Sequence, residues 1–159
     1  MKSVALFLTL FFLNFNSAKA QITFEKTYPL QIASVGNSVK QTLDGGYVIG
    51  GTYVTKTNDS GLVEWIYPKP ADYINTTADS GFIVIENAGD LFFTKLDKLG
   101  DTTWRKSYGA GLWAREGNAI EQTADGGYIV AGRFQDFSGS GMMLLKLNQQ
   151  GVVSWRKTF

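Results

Sequence analysis

The chain has 159 residues, carries 15 Lys and Arg against 14 Asp and Glu, and contains neither histidine nor cysteine. A near-neutral charge leaves no electrostatic footprint for nucleic acid or for an anionic membrane. The missing residue types exclude His- and Cys-dependent nucleophilic catalysis, His- or Cys-ligated metal sites and disulfides. Eighteen glycines, three prolines and 14% aromatic residues favour short strands joined by tight turns, with little or no helix.

Residues 1–20 have the pattern of a secretory signal peptide. Lys2 gives a short basic start, residues 4–15 are mostly apolar, and Ala18-Lys19-Ala20 has the small residues of a cleavage site. A transmembrane anchor fits less well, because the apolar run is shorter than the roughly 20 residues that a bilayer requires. We therefore expect a mature chain of residues 21–159 without a membrane span, secreted or held at the outer cell surface, with the periplasm as an alternative. Loss of the two lysines leaves 13 basic residues against 14 acidic ones.

The rest of the chain is an internal repeat. Residues 117–130 copy residues 36–49 nearly letter for letter, and a fainter copy begins at Ile74. The first and third units contain Asp-Gly-Gly-Tyr, which is degraded to Asp-Ser-Gly-Phe at residues 79–82 of the second. An Asp-Gly pair is a hairpin signal because glycine adopts a positive φ without steric cost, and a second strand is expected to begin at the aromatic residue. The second and third units also contain a Lys-Leu-Asp/Asn-x-x-Gly turn followed four residues later by Trp, and the first unit has a worn copy at residues 56–61 followed by Trp65. The repeated residues are Asp44, Gly45, Gly46, Tyr47 and Trp65; Asp79, Gly81, Phe82 and Trp104; and Asp125, Gly126, Gly127, Tyr128 and Trp155.

In chain order, residues 22–28 match the last strand of a unit, and three units follow at about residues 36–67, 72–108 and 117–159. Each unit is predicted to have four antiparallel strands. Repeated four-stranded units of this spacing predict an all-β fold of β-propeller blades. Three blades and one orphan strand are fewer than the roughly four to eight blades of a closed propeller. The prediction is a partial propeller that needs further blades from the same gene or from a partner chain. Self-assembly into a ring is the alternative.

The pattern resembles a bacterial secreted β-propeller repeat of the form S-x-x-Q-T-x-D-G-G-Y-I … L-x-K-L-D-x-x-G-x-x-x-W-x-K-T, which occurs in exported multi-repeat proteins of Bacteroidetes-type bacteria. The resemblance covers essentially residues 22–159 and is strongest in the third unit. It implies blade packing and an exported context, and it transfers no cofactor or metal site. The turn residues Asp44, Asp79 and Asp125 each lack the repeated acidic pattern of a calcium loop, so a hydrogen bond that caps the turn is the favoured role.

Binding is expected on one face only. The units differ in length in two kinds of connection, the one from the second to the third strand and the one that leads to the next unit. Alternating strand direction brings both kinds to the same face. Binding residues concentrate on variable loops, so we expect a ligand on this face and none on the face of the constant turns. Trp113 is out of phase with the repeat, although packing in the gap between blades could also account for it. The candidate ligand-binding residues are Trp113, Arg115, Glu116, Phe134, Asp136, Phe137, Asn87 and Asp90.

These observations favour a non-enzymatic exported module for binding or adhesion, with a glycan or a surface protein as partner and with no cofactor. An exposed aromatic residue beside Arg, Asn and Asp suits a sugar ring or a protein surface. Two alternatives remain open at this point. One is a structural spacer in a larger surface protein. The other is an N-terminal fragment of a carbohydrate-active enzyme whose catalytic residues lie outside this chain.

Overall fold

A computed structural model describes residues 25, 27, 34–108 and 114–159. The predicted signal peptide, most of the predicted N-terminal strand and Trp113 lie outside the described residues. No helix in the described ranges is long and apolar enough to cross a membrane.

The described residues form twelve strands and no helix. They build three four-stranded antiparallel sheets, each made of consecutive strands paired in chain order. The predicted all-β class and the three four-stranded units are thereby confirmed. Sheet 1 contains β1 (Gly36–Gln41), β2 (Tyr47–Gly51), β3 (Val54–Thr57) and β4 (Val63–Tyr67); sheet 2 contains β5 (Tyr73–Thr76), β6 (Phe82–Ala88), β7 (Asp90–Leu96) and β8 (Thr102–Ser107); and sheet 3 contains β9 (Ala114–Gln122), β10 (Tyr128–Asp136), β11 (Gly139–Leu147) and β12 (Val153–Thr158).

Local turn chemistry sets where the strands begin. In the first turn of sheet 1 the Asp44 carboxylate accepts a hydrogen bond from the Gly46 N–H at 3.0 Å, and Gly45 adopts a φ of 85°. The same Asx bond recurs in the other two sheets. The aromatic residue that follows each turn is the first residue of β2, β6 and β10, as the repeat predicts.

The sheets pack face to face through two apolar cores. One core joins sheets 1 and 2 through residues such as Val48, Val54 and Leu96, and the other joins sheets 2 and 3. The repeated tryptophans complete these interfaces: Trp65 meets the Phe82 ring edge-on at 5.4 Å, and Trp104 meets the Tyr128 ring at 5.8 Å. The repeat therefore encodes the contact between neighbouring sheets as well as the turns within each one.

The first strands of the sheets lie side by side, with β5 between β1 and β9. Strand direction alternates, so each sheet has two distinct ends. The turn end carries the first-to-second and third-to-fourth connections. The hairpin end carries the second-to-third connections and the connections between sheets. The hairpin end is the face on which binding is predicted.

The expectation that length variation lies in loops at the hairpin end is wrong for the second-to-third connections. These connections are tight in all three sheets, with one residue, Gly89, in sheet 2 and two residues, Phe137 and Ser138, in sheet 3. The strands grow instead, from five and four residues in β2 and β3 to nine each in β10 and β11. Longer runs between turns pair with each other because a continued ladder satisfies their backbone groups, whereas a loop would leave them to water.

Candidate functional site

Asparagine bulges shape the inner edge at the hairpin end: the extra residue is Asn37 where β1 pairs with β2, and it is Asn118 where β9 pairs with β10. A further bulge in β9 has Arg115 as its extra residue. A bulge leaves one residue outside the ladder and turns its side chain away from the regular alternation. The duplicated Gly-Asn pair at residues 36–37 and 117–118 is thus the sequence signal for both asparagine bulges.

A polar cavity of about 580 Å³ lies where the inner edges of the three sheets meet at the hairpin end. A smaller recess of about 120 Å³ runs along β1, β5 and β9 and shares Tyr73 and Asn118 with it. Every sheet contributes to the lining, so the cavity exists only in the assembled arrangement. Its lining residues are Gly36, Asn37, Asp72, Tyr73, Asn87, Glu116 and Asn118.

A hydrogen-bonded network holds the wall between sheets 2 and 3. The Asn87 side-chain amide bonds the Gly117 backbone twice, accepting from its N–H at 2.9 Å and donating to its C=O at 3.2 Å. The Asn87 backbone N–H in turn donates to an Asp72 carboxylate oxygen at 2.7 Å. Asn87 therefore locks one sheet to the next, and the Asp72 carboxylate that it binds lies in the cavity lining with the bulged asparagines.

The lining is acidic and amide-rich. It contains the carboxylates of Asp72 and Glu116 and no lysine or arginine. Glu116 is exposed and, in the part of the chain that the structure describes, it forms no ion pair within 4.0 Å. The described residues also hold no group of three or more acidic side chains that could bind a metal ion. Carboxylates, amides and the Tyr73 ring are suited to hydrogen bonding hydroxyl groups and packing against a ring, and they would repel an anion.

The structure brings together two of the predicted ligand-binding residues, Asn87 and Glu116, and Arg115 lies exposed beside them on β9. Asp90, predicted in a loop, is the first residue of β7 and accepts a hydrogen bond from the Ser107 hydroxyl at 3.1 Å. Asn87 likewise belongs to β6 and not to a loop. Among the lining residues, Asn37, Asn118 and Tyr73 were missed.

The remaining candidates belong to the β10–β11 hairpin and do not line the cavity. Phe134 and Asp136 were predicted in a loop, but both lie within β10. Phe134 is half-buried and packs on the core between sheets 2 and 3, while Asp136 holds the turn by accepting from the Ser138 N–H at 2.8 Å. That N–H and the Ser138 hydroxyl lower the pKa of the Asp136 carboxyl. Phe137, at the tip, is 96% exposed.

The turn end has a repeated ion pair that the repeat did not reveal. Lys56, Lys95 and Lys146 each reach the carboxylate of the first-turn aspartate of their own sheet at 2.8–2.9 Å. A hydrogen bond from Lys56, helped by one from the Thr42 hydroxyl, lowers the pKa of Asp44 to about 2. These lysines pin the first turn of each sheet to its third strand, so they are structural.

Hydrogen bonding and burial shift two more pKa values, those of Asp79 and Tyr108. Burial opposes ionisation of Asp79, but hydrogen bonds from Thr77 and Lys95 outweigh it and lower its pKa to about 2. At the sheet 2–sheet 3 interface, burial raises the pKa of the Tyr108 hydroxyl, which donates a hydrogen bond to the Gly151 carbonyl. None of these groups borders the inner cavity.

No protein-family model matches the sequence, and no curated protein matches it. Among solved structures, the chain is similar to a crystal structure of the eukaryotic initiation factor, with a TM-score of 0.65 and 11% identity. That match covers 86% of this chain and 35% of the other, so the chain spans about a third of that protein's length. A second match is to a protein of unknown function from Bacteroides caccae, with a TM-score of 0.49, 15% identity, and 82% and 63% of the two chains covered. At this identity the first likeness shows the fold alone, and the second carries no argument.

Proposed function

We propose that the three sheets are blades of an exported β-propeller that binds a neutral glycan at the inner cavity of its hairpin end. The observation that carries the proposal is the cavity itself, where two carboxylates, two bulged asparagines and an exposed tyrosine converge from three sheets. The propeller arrangement is supported by the consecutive pairing within sheets and by the row of first strands, β1, β5 and β9. Export is supported by the signal-peptide pattern of residues 1–20.

The chemistry of the lining favours a neutral sugar over other ligands. Asparagine side chains can donate hydrogen bonds to vicinal hydroxyls and accept from them, carboxylates accept, and the Tyr73 ring offers a face for the apolar side of a sugar ring. The carboxylates of Asp72 and Glu116, unpaired with any cation in the lining, disfavour uronic or sialic acids through like-charge repulsion. The cavity volume of about 580 Å³ falls in the range of small-ligand sites and accommodates one or two sugar rings.

A glycan array probed with the full chain tests this proposal. We expect binding to neutral glycans and none to their acidic counterparts. Asn118→Ala and Glu116→Gln should weaken binding about tenfold each, since one lost hydrogen bond to a ligand costs about 1 to 1.5 kcal/mol. Asp101→Asn is the matched control, because Asp101 is an exposed acid at the turn end. Trp113→Ala tests in the same array whether the out-of-phase tryptophan contributes.

Two results would overturn the glycan proposal. Equal binding by the wild type, Asn118→Ala and Glu116→Gln would place the ligand elsewhere. No binding to any glycan would instead favour the other functions that fit the sequence, a protein partner or a structural spacer.

A further inference from the structure

A second cavity lies at the turn end, the face that the repeat marks as constant. Its volume is about 610 Å³, and it opens between sheets 1 and 2. Its lining includes Leu43, Thr76, Ser80, Phe82, Lys98 and Leu99, together with the ion pair of Asp44 and Lys56. The binding site proposed above does not include any of them.

The cavity is present because one sheet departs from the repeat. Where sheets 2 and 3 meet, Gln122 at the end of β9 bridges the two turns. Its side-chain oxygen accepts from the Ala78 N–H at 2.7 Å, and its amide donates to the Gly126 carbonyl at 3.3 Å. Where sheets 1 and 2 meet, the equivalent positions hold Thr76 and Leu43. The threonine side chain is two heavy atoms shorter, and no hydrogen bond among the described residues replaces the glutamine bridge at Leu43.

The first turn of sheet 2 carries backbone strain. Ser80 has a φ of 62° and is the one described residue other than glycine with a positive φ. The other two sheets have glycine here, Gly45 and Gly126, with φ values of 85° and 77°. A side chain in this conformation costs about 1 kcal/mol or more relative to glycine. Ser80 thus places a hydroxyl at the cavity at a cost in stability that the other two turns avoid.

The rim adds a positive charge and apolar surface. Lys98 is exposed and replaces Gln149 of sheet 3, which there donates a hydrogen bond to the Asp125 carbonyl at 3.0 Å. Leu43 and Leu99 are 87% and 64% exposed on either side of the opening, above Phe82. The lining also holds Asp44, whose carboxylate pairs with the Lys56 ammonium at 2.9 Å, whereas the Lys98 ammonium forms no ion pair within 4.0 Å among the described residues.

We propose that this cavity binds a carboxylate attached to an apolar body, such as the C-terminal residue of a peptide. The carboxylate supplies the acceptor oxygen that Gln122 supplies in the neighbouring junction, with the Leu43 N–H, the Ser80 hydroxyl and the Lys98 ammonium as donors. The apolar body covers Leu43 and Leu99, which reduces the apolar surface exposed to water. This ligand class differs from the neutral glycan proposed for the hairpin end, where the lining is acidic.

The test uses the full chain, observed by NMR through the amide signals of Leu43 and Ser80. N-acetyl-leucine is the probe, N-acetyl-leucinamide is the control without a carboxylate, and hexanoate is a carboxylate without a peptide group. We expect saturable shifts with N-acetyl-leucine at a Kd on the order of 1 mM and binding of the amide at least about fivefold weaker. Stronger binding of N-acetyl-leucine than of hexanoate identifies a peptide C-terminus as the source. The reverse order identifies a fatty carboxylate.

Substitutions that restore the repeat provide matched variants. Thr76→Gln should fill the cavity and weaken N-acetyl-leucine binding at least about tenfold while leaving the thermal midpoint equal or higher. Lys98→Gln should abolish the preference for the carboxylate. Unchanged binding by Thr76→Gln, equal binding of N-acetyl-leucine and its amide, or no saturation up to about 20 mM would each overturn the proposal. Glycan binding at the hairpin end should be unaffected by Thr76→Gln, so the two proposals fail separately.

Discussion

Replacing Gly100 by alanine tests whether the repeated tryptophan contact holds neighbouring sheets together. Gly100 lies in the second turn of sheet 2 with a φ of 87°, and a Cβ built there would lie 2.8 Å from a ring carbon of Trp65 in sheet 1. The substitution therefore adds two costs, an unfavourable backbone conformation and a clash with an indole ring. Gly89 separates them, because its φ is 79° and a Cβ there meets no atom within 4 Å.

The two substitutions should lower the free energy of unfolding by different amounts, and the difference is the cost of the clash with Trp65. Gly89→Ala should lower the free energy of unfolding by about 1 kcal/mol, the cost of a left-handed residue with a side chain. Gly100→Ala should lower it by about 2 to 4 kcal/mol, because overpacking a filled interface adds roughly 1 to 3 kcal/mol. The ring of Trp65 also packs against Phe82, so it cannot move away without losing that contact.

Urea denaturation followed by circular dichroism measures both values on the full chain. The double variant Gly100→Ala with Trp65→Leu, compared with each single variant, provides the coupling term, and we expect Gly100→Ala to cost less in the Trp65→Leu background than in the wild type. Equal costs for Gly89→Ala and Gly100→Ala would refute the idea that Trp65 and the turn glycine form a close-packed junction. An additive double variant would refute it as well.

Three further predictions concern the polar contacts. Asp44 and Asp79 have pKa values lowered to about 2, so their stabilisation is complete above about pH 4 and is lost as the pH falls towards 2. Both carboxylates are more than half exposed, so each should contribute about 1 kcal/mol or less, and a urea midpoint constant down to pH 2 would contradict this. Asp79→Ala should cost about 2 kcal/mol, because it removes the turn bonds from the Thr77 hydroxyl and the Gly81 N–H as well as the counterion of buried Lys95, whereas Lys95→Met should cost about 1 kcal/mol or less; the opposite order in thermal denaturation would contradict this. Asn87→Ala should cost about 2 kcal/mol through its two lost bonds to Gly117, and Asn87→Asp about half of that, as measured by urea denaturation, unless water replaces both bonds.

Local chemistry made much of the fold predictable. The first turns were identified from two Asp-Gly pairs and the degraded copy at Asp79-Ser80, signals that act within four residues, and the following strands begin at Tyr47, Phe82 and Tyr128 as expected. The second-to-third hairpins were misjudged as variable loops. Phe134 and Asp136 were expected in such a loop, yet both belong to β10, because pairing with β11 continues as far as Asp136.

The candidate site was less predictable because it depends on contacts between sheets. Asn37 and Asn118 are separated by about half the chain, and their common cavity follows only from the side-by-side placement of β1 and β9 around β5. The lysine ion pairs show the same limit. Lys95 and Asp79 lie 16 residues apart, and the strand register that brings them together was not deduced. The turn-end cavity depends on Thr76. The sequence shows that Thr76 departs from the repeat, but it does not show that Thr76 lies near Leu43 across the junction between sheets 1 and 2.

The lengthening of the central hairpins has a consequence for how the molecule can change. β10 is four residues longer than β2, which carries its tip about 13 Å further at roughly 3.3 Å per residue. The second strands lengthen from sheet 1 to sheet 3, so the sheets extend by different lengths at the hairpin end. A segment inserted after Phe137 would lengthen the β10–β11 hairpin at its exposed tip, away from the contacts between sheets. This hairpin is therefore the place to graft a foreign epitope or tag.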